Sequence, residues 1–340
     1  MRALPAAPLL VLCACSPGPG RFVQRPATPI GWPATDPQAR VELLFVYHDT
    51  HDVERKRGLF GRLGDLLAGK EVRRLVSPYG CALTPAGDLL VADTAQALVH
   101  RLSLESGEHR LHTGDGDTQL VTPIAVALAP DGRFFVTDST SSQVVIFSPQ
   151  GEPLGAFGSA AETGRPTGIA YDPVGRRMLV VDTTGGRILS YDLDGHLLEA
   201  RGERGGGPGQ FNYPTNVAVD AAGRSYVVDT LNFRVQILSG DFEPLGEIGT
   251  LGTGPGTFAK PKGVALDSDG HVYVVDGMFD NVQIFDPDGT LLLTFGATGS
   301  GFGNLSLPTG ILIDERDRIF VSDGGNARIQ VFQYHPRATP

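Results

Sequence analysis

The feature that most constrains the fold of this chain is an internal repeat of about 46 residues. Six units each begin at a proline, and these are Pro78, Pro123, Pro166, Pro214, Pro261 and Pro308. Fifteen or sixteen residues later each unit places an aspartate after an apolar run, giving Asp93, Asp138, Asp182, Asp229, Asp276 and Asp323. Successive aspartates are 45, 44, 47, 47 and 47 residues apart. Such a period indicates a repeat architecture in which each unit is one supersecondary element.

Each unit has the pattern of four short strands, and the fifth unit shows it most clearly. Its apolar segments are Gly263–Asp267, His271–Asp276, Asn281–Phe285 and Leu291–Phe295, separated by turns rich in Asp and Gly. Four antiparallel strands in 40–50 residues are typical of a propeller blade. The sequence therefore predicts an all-β, six-bladed β-propeller of four-stranded antiparallel blades over 77–335, with blades starting near 78, 123, 166, 214, 261 and 308 and a tail at 336–340.

Two units carry a motif that resembles the NHL repeat. The segments Asp229-Thr-Leu-Asn232-Phe-Arg234-Val-Gln236 and Asp323-Gly-Gly-Asn326-Ala-Arg328-Ile-Gln330 follow the family pattern D-x-x-N-x-R-[VI]-Q. The resemblance extends over residues 78–334 and implies the propeller fold without naming an activity. We interpret the repeated motif as scaffold, because an active site does not recur six times around a ring. Its residues are Asp93, Asp138, Asp182, Asp229, Asn232, Arg234, Asp276, Asp323, Asn326 and Arg328.

The sixth unit has only three strands of its own, ending near Phe332. An isolated strand pattern at Val41–Tyr47 precedes the first unit, and we expect it to pair with the outer edge of the sixth blade and close the ring. Between this strand and the first blade, apolar residues recur at helical spacing: Leu59, Phe60, Leu63, Leu66 and Leu67. The segment 41–76 is therefore predicted to be a closing strand plus a short amphipathic helix over 58–69, packed on the propeller or on a membrane surface.

The N-terminal residues 1–14 have the features of a signal peptide. Their apolar run, Ala3–Leu12, is too short to span a bilayer and follows the basic Arg2. The sequence Leu12-Cys13-Ala14-Cys15 resembles a bacterial lipobox, which implies lipidation of Cys15 and a membrane anchor; a plain secretory signal is the alternative. Residues 15–40 are then a lipidated, proline-rich tether in which Trp32 either docks on the domain or stays solvated. The predicted location is the bacterial cell envelope, facing the periplasm or the surface.

Composition excludes several classes of function. The net charge of −10 argues against nucleic acid as a partner. Three cysteines without a C-x-x-C pair support neither a disulfide framework nor a zinc site, and Cys81 is expected to be inert core. The glycine-rich segment 202–211 lacks the Gly-Lys-Ser/Thr ending of a phosphate loop. An edge strand is expected to expose His109 and His112, so no metal and no cofactor are predicted.

The first residues of the innermost strands are the predicted ligand contacts, because these strands begin at the mouth of the central channel. Neither a histidine nor a carboxylate is among them, and the candidates are Tyr79, Thr167, Thr215, Asn216, Lys262 and Thr309, with Ile124 at the equivalent place. We therefore predict a monomeric ring that binds or scaffolds an envelope protein, a peptide or a glycan.

The resemblance to NHL-related propellers also implies an alternative, since relatives of this group include metal-assisted lyases and lactonase-like hydrolases. That activity would need acids, bases or ligands brought to the channel by folding, for example Asp93, Asp138 or His271. A third hypothesis, a component of a polysaccharide export apparatus, is suggested only by the predicted lipid anchor.

Overall fold

The computed structural model describes residues 21–22, 24–34, 40–54 and 72–335, which form a ring of six sheets. Residues 1–14, Cys15, the predicted helix at 58–69 and the tail at 336–340 lie outside the described residues. Within the described ranges the only helical segments are 3-10 turns, at Thr50–Asp52, Gly116–Thr118, Thr230–Asn232 and Gly324–Asn326. No helix in these ranges is both long enough and apolar enough to cross a bilayer.

The first five blades are four-stranded antiparallel sheets, as the repeat predicts. From the channel outward, blade one has strands Pro78–Leu83, Asp88–Asp93, Leu98–Ser103 and His109–His112, and blade two has Pro123–Leu128, Phe134–Asp138, Gln143–Phe147 and Pro153–Phe157. Blade three has Pro166–Asp172, Arg177–Asp182, Arg187–Tyr191 and Leu197–Arg201, and blade four has Pro214–Val219, Ser225–Asp229, Arg234–Leu238 and Pro244–Ile248. Blade five has Pro261–Leu266, Val272–Asp276, Asn281–Phe285 and Leu291–Phe295. A short parallel pair, Glu203–Arg204 with Gln210–Phe211, lies in the connection before blade four.

The sixth blade combines the two ends of the chain. Its own strands are Pro308–Ile313, Arg318–Asp323 and Arg328–Tyr334, and Val41–Tyr47 pairs antiparallel with the last of these. The short strand Gly31–Trp32 adds to the outer edge of Val41–Tyr47, and Arg21–Phe22 pairs with Val53–Glu54. Trp32 is docked rather than solvated: its ring lies 5.8 Å from those of Phe295 and Phe332, so it covers the joint between blades five and six.

Burial falls from the middle of each blade to its rim, which explains the hydrophobic patterns. The second strands, such as Val272–Asp276, are buried along their whole length because a neighbouring blade packs on each face. The fourth strands, such as Leu197–Arg201, are mostly exposed. The core is therefore divided into clusters between adjacent blades; one of them joins Tyr273 and Phe295 of blade five to Ile319 of blade six.

The repeated aspartates tie each blade to the loop that enters it. Asp323 is fully buried and accepts hydrogen bonds from the backbone N–H of Ser306 and from the side chains of Asn326, Arg328 and Gln330. The same arrangement recurs at the aspartate of blade four. A buried carboxylate needs several donors to offset its lost hydration, and the repeat motif supplies them.

The expectation that His109 and His112 are exposed is wrong, because other parts of the chain cover the edge of blade one. Both side chains are buried. His109 Nδ1 lies 2.9 Å from the Tyr47 hydroxyl of the N-terminal strand, and its Nε2 lies 2.8 Å from His100 Nδ1. His112 Nδ1 lies 3.0 Å from the carbonyl oxygen of Gly151 in blade two. These histidines therefore help to pack blade one against its neighbours.

Candidate ligand-binding site at the channel mouth

The six innermost strands approach one another most closely at their third residues. A Cβ atom at Gly80 would lie 2.6 Å from the Cα atom of Ala125, and one at Gly310 would lie 2.2 Å from the carbonyl oxygen of Tyr79. A Cβ at Gly168 would similarly meet the Cα atom of Asn216 at 2.5 Å. Glycine is required here because the backbones of adjacent blades touch. This constriction is the throat of the channel.

A cavity of about 330 Å³ occupies the channel between the throat and the end opposite the mouth, walled by the six innermost strands from their third residues onward. Most of the side chains that line it are alanine, valine, leucine or isoleucine. Asn216 is an exception, and its Oδ1 accepts a hydrogen bond from the backbone N–H of Val264 at 3.3 Å. Cys81 also lies on this wall, and burial raises the pKa of its thiol to about 12, against the opposing effect of a hydrogen bond with Ser322. The side chains on the channel wall are therefore mainly apolar, while backbone groups contribute polar surface.

The hydroxyl groups of the three candidate threonines are all hydrogen-bonded, and two of them join adjacent blades. The Thr309 hydroxyl donates to the carbonyl oxygen of Pro78 at 3.0 Å, which joins blade six to blade one. The Thr215 hydroxyl donates to the carbonyl oxygen of Lys262 at 3.2 Å. The Thr167 hydroxyl lies 2.8 Å from that of Thr183, within the same blade. Because these hydroxyl groups and the Asn216 side-chain carbonyl oxygen already have partners, Tyr79 and Lys262 are the candidate residues better placed to contact a ligand.

Tyr79 and Lys262 lie in a cluster of positive charge at the mouth. Burial lowers the pKa of Lys262; the phenol of Tyr213 opposes this effect and the positive charge of Arg165 adds to it. Burial raises the pKa of Tyr79, while the cations Arg165 and Lys260 act in the opposite direction. Within the described part of the chain, the Lys262 ammonium has no ion-pair or hydrogen-bond partner. An anion bound beside it would compensate its partial loss of hydration.

Sequence reasoning missed three members of this cluster, although they share a simple position. Arg165, Tyr213 and Lys260 are each the residue immediately before the proline that opens an innermost strand. Arg165 donates a hydrogen bond to the Tyr213 hydroxyl, and its guanidinium carbon lies 5.8 Å from the centre of that ring. Counting back one residue from each repeat proline would have found them. We call these five residues (Tyr79, Arg165, Tyr213, Lys260 and Lys262) the basic mouth.

The residues that a metal-assisted enzyme would need are not brought together. Asp93 and Asp138 are fully buried in separate blades and accept backbone hydrogen bonds from the loops that enter those blades. His271 pairs with Asp267, its Nδ1 2.7 Å from Oδ2, at the turn between the first two strands of blade five. That turn lies at the end of the ring opposite the mouth. Among the residues that the structure describes, no three His, Cys, Asp or Glu side chains are grouped to hold a metal ion.

Comparison with known families fits the blade architecture. Residues 258–285, in blade five and the loop before it, match the sequence model of the NHL repeat. The chain is a six-bladed propeller with an NHL repeat. No curated protein has a significantly similar sequence.

Solved propellers resemble this ring in fold. Virginiamycin B lyase from Staphylococcus aureus is 15% identical with a TM-score of 0.57, covering 76% of this chain and 96% of its own. A gluconolactonase from Xanthomonas campestris is 14% identical with a TM-score of 0.58, covering 77% and 87%. An auxiliary nutrient binding protein from Bacteroides thetaiotaomicron is 13% identical with a TM-score of 0.59, covering 77% and 70%. Because enzymes and a binding protein share the fold at this identity, the likeness shows the fold alone.

Proposed function

We propose that this propeller is a binding or scaffolding module of the bacterial cell envelope, and that its ligand docks at the basic mouth. The observation that carries the proposal is the half-buried Lys262 ammonium, which has no partner among the described residues and lies near Arg165 and Tyr213. A cation in this setting is suited to pair with a group from outside the protein. The separation of Asp93, Asp138 and His271 favours binding over catalysis.

A site-specific photocrosslinker tests the location of the site. It replaces Met278, which is exposed in a loop at the mouth end, or Val174, which is equally exposed in a turn at the opposite end of the ring. In native membranes we expect a discrete adduct from position 278 that disappears in the Lys262→Met background and is absent from position 174. Adducts of equal yield from both positions, or none from either, would overturn the proposal.

The enzymatic alternative is tested by measuring metal content and turnover of the purified protein. A stoichiometric bound zinc or calcium together with turnover of a lactone or glycan substrate, abolished by His271→Ala, would replace the binding hypothesis with the enzymatic one.

The envelope location is part of the proposal and depends on the lipobox-like Leu12–Cys15. We expect the wild-type chain to incorporate a labelled fatty acid and to sediment with membranes, whereas Cys15→Ser loses both properties. Cys13→Ser is the matched control and should keep both. Release of the wild-type chain into the soluble fraction would contradict the anchor.

Closure of the ring by Val41–Tyr47 is a further part of the proposal, supported by its pairing with Arg328–Tyr334. Without that strand, the third strand of blade six would present an open edge. We expect deletion of residues 24–54 to lower the unfolding temperature, and a synthetic peptide of the same residues to restore it. An unchanged unfolding temperature after the deletion would exclude this role.

A further inference from the structure

Exposed apolar side chains occur on the same end of the ring as the basic mouth. All lie in loops that precede an innermost strand or follow a second strand, and they are 38% to 62% exposed: Val76, Val121, Tyr213, Leu231, Met278 and Leu307. We call these six residues the apolar rim. Ten other large apolar side chains are exposed elsewhere on the described residues, and the rim is set apart by position: its six members lie within two residues of the mouth-end termini of the innermost or second strands. Apolar side chains grouped around one opening are suited to an interaction surface.

Two members of the apolar rim have a backbone conformation that residues other than glycine rarely adopt. Tyr213 has φ = 60° and Leu307 has φ = 45°, both in the left-handed region. The surrounding structure holds them there: the Leu307 N–H donates to Asp280 Oδ1 at 2.7 Å, and Arg165 binds the Tyr213 hydroxyl. Eight other non-glycine residues of the described chain share this conformation, so what distinguishes these two is their place beside the mouth. The conformation directs both large side chains outward there.

The charge at the mouth contrasts with the charge of the whole protein. The chain has a net charge of −10, yet the groups that act on Lys262 and Tyr79 include two further cations, Arg165 and Lys260. Arg165 and Lys260 form no ion pair within the described residues. A local excess of positive charge attracts anionic groups and fixes their orientation.

We propose that the mouth docks an acidic segment of a partner protein, with one carboxylate entering beside Lys262 and Arg165 and flanking apolar residues resting on the apolar rim. The inference rests on the proposed function and narrows its ligand from protein, peptide or glycan to an acidic and apolar peptide. A glycan is disfavoured because the five aliphatic or thioether members of the rim offer no hydrogen bonds to sugar hydroxyl groups, whose burial would then be costly.

The test selects binders from a phage-displayed library of random dodecapeptides, using the purified full chain. We expect enriched peptides to combine Asp or Glu with Leu, Ile, Val or Phe. Binding of a selected peptide, followed by fluorescence anisotropy, should weaken about ten- to a hundredfold in Lys262→Met, the loss expected for one charge-assisted hydrogen bond. Leu307→Ser should also weaken binding. Arg316→Met, a charge removed from an exposed turn at the opposite end, should leave it unchanged.

The outcomes separate this inference from the proposed function. Glutamate-to-glutamine versions of the peptide should bind at least tenfold more weakly, and added salt should weaken binding because exposed charges are screened. Enriched peptides without net negative charge, or equal affinity for the wild type and Lys262→Met, would overturn the inference. If instead a panel of oligosaccharides binds and requires Lys262, the proposed site stands while the peptide ligand is wrong. If neither probe binds, both fail. Equal unfolding temperatures for all variants exclude misfolding as the cause.

Discussion

Replacing Arg328 by methionine would test how strongly the repeat motif holds a blade in the ring. The guanidinium is almost completely buried, and its Nε donates to Asp323 Oδ2 at 2.6 Å. Its other nitrogens donate to the carbonyl oxygens of Ser300, Gly301 and Asn304 at 2.9, 2.8 and 2.7 Å. One side chain therefore joins the third strand of blade six to its aspartate and to the loop arriving from blade five.

The size of the effect follows from what the substitution leaves behind. Methionine keeps most of the apolar stem but leaves the fully buried carboxylate of Asp323 without its counter-ion. Breaking a buried ion pair in this way costs about 3–5 kcal/mol. For a chain of this size that corresponds to an unfolding temperature lower by roughly 4–7 °C. Arg201→Met removes a guanidinium that is 58% exposed beside Glu199, and should change stability by less than about 1 kcal/mol.

Differential scanning fluorimetry and urea unfolding of the purified variants would measure these shifts. If the cost comes from an unpaired buried charge, Asp323→Asn should be less harmful in the Arg328→Met background than in the wild type, with a coupling energy of about 1–3 kcal/mol. The reasoning fails if Arg328→Met lowers the unfolding temperature no more than Arg201→Met does. It also fails if the two substitutions in blade six are simply additive.

Three further predictions concern other parts of the ring. Cys81 should resist iodoacetamide at pH 8 in the folded protein and react once urea unfolds it, as peptide mapping by mass spectrometry would show, because its raised pKa keeps the thiol protonated. Burial would raise the pKa of Asp93, but hydrogen bonds, the first from His100, hold it at about 2; stability should therefore fall as the pH drops from about 4 towards 2, and less steeply in Asp93→Asn. Trp32, the single tryptophan, should emit at a shorter wavelength in the native protein than in urea; a fully solvated native spectrum would contradict its docking against Phe295 and Phe332.

The ring could be predicted from the sequence because each blade repeats the same local sequence pattern. A proline opens the innermost strand, and an aspartate ends the second strand fifteen or sixteen residues later, so six copies give blade number and strand order together. The close approach of adjacent blades could also be predicted, because the third residue of each innermost strand is small. Asn216 is the exception.

Contacts between distant parts of the chain were harder to foresee. His109 looks like an edge-strand residue, but it is buried because Tyr47, 62 positions earlier, packs against it. The hydroxyl groups of Thr215 and Thr309 bond to carbonyl oxygens of the next blade, which strand periodicity does not reveal. The basic mouth draws on loops from different blades, so only the geometry of the ring brings Arg165, Tyr213 and Lys260 to the same opening.

The doubled N-terminal strand gives the molecule a defined response to mechanical load. The segment from Gln24 to Trp32 runs back along the closing strand, with the N–H of Val46 bonded to Gln24 and that of Leu43 bonded to Ile30. A pull on the chain before Arg21 therefore acts first on the pair of Arg21–Phe22 with Val53–Glu54, then on this outer layer, and then on the indole of Trp32 packed against Phe295 and Phe332. Only after the indole is extracted does the force reach the hydrogen bonds between Val41–Tyr47 and the sixth blade. The outer layer therefore protects the pairing of Val41–Tyr47 with the sixth blade, because it must separate before that pairing bears the load.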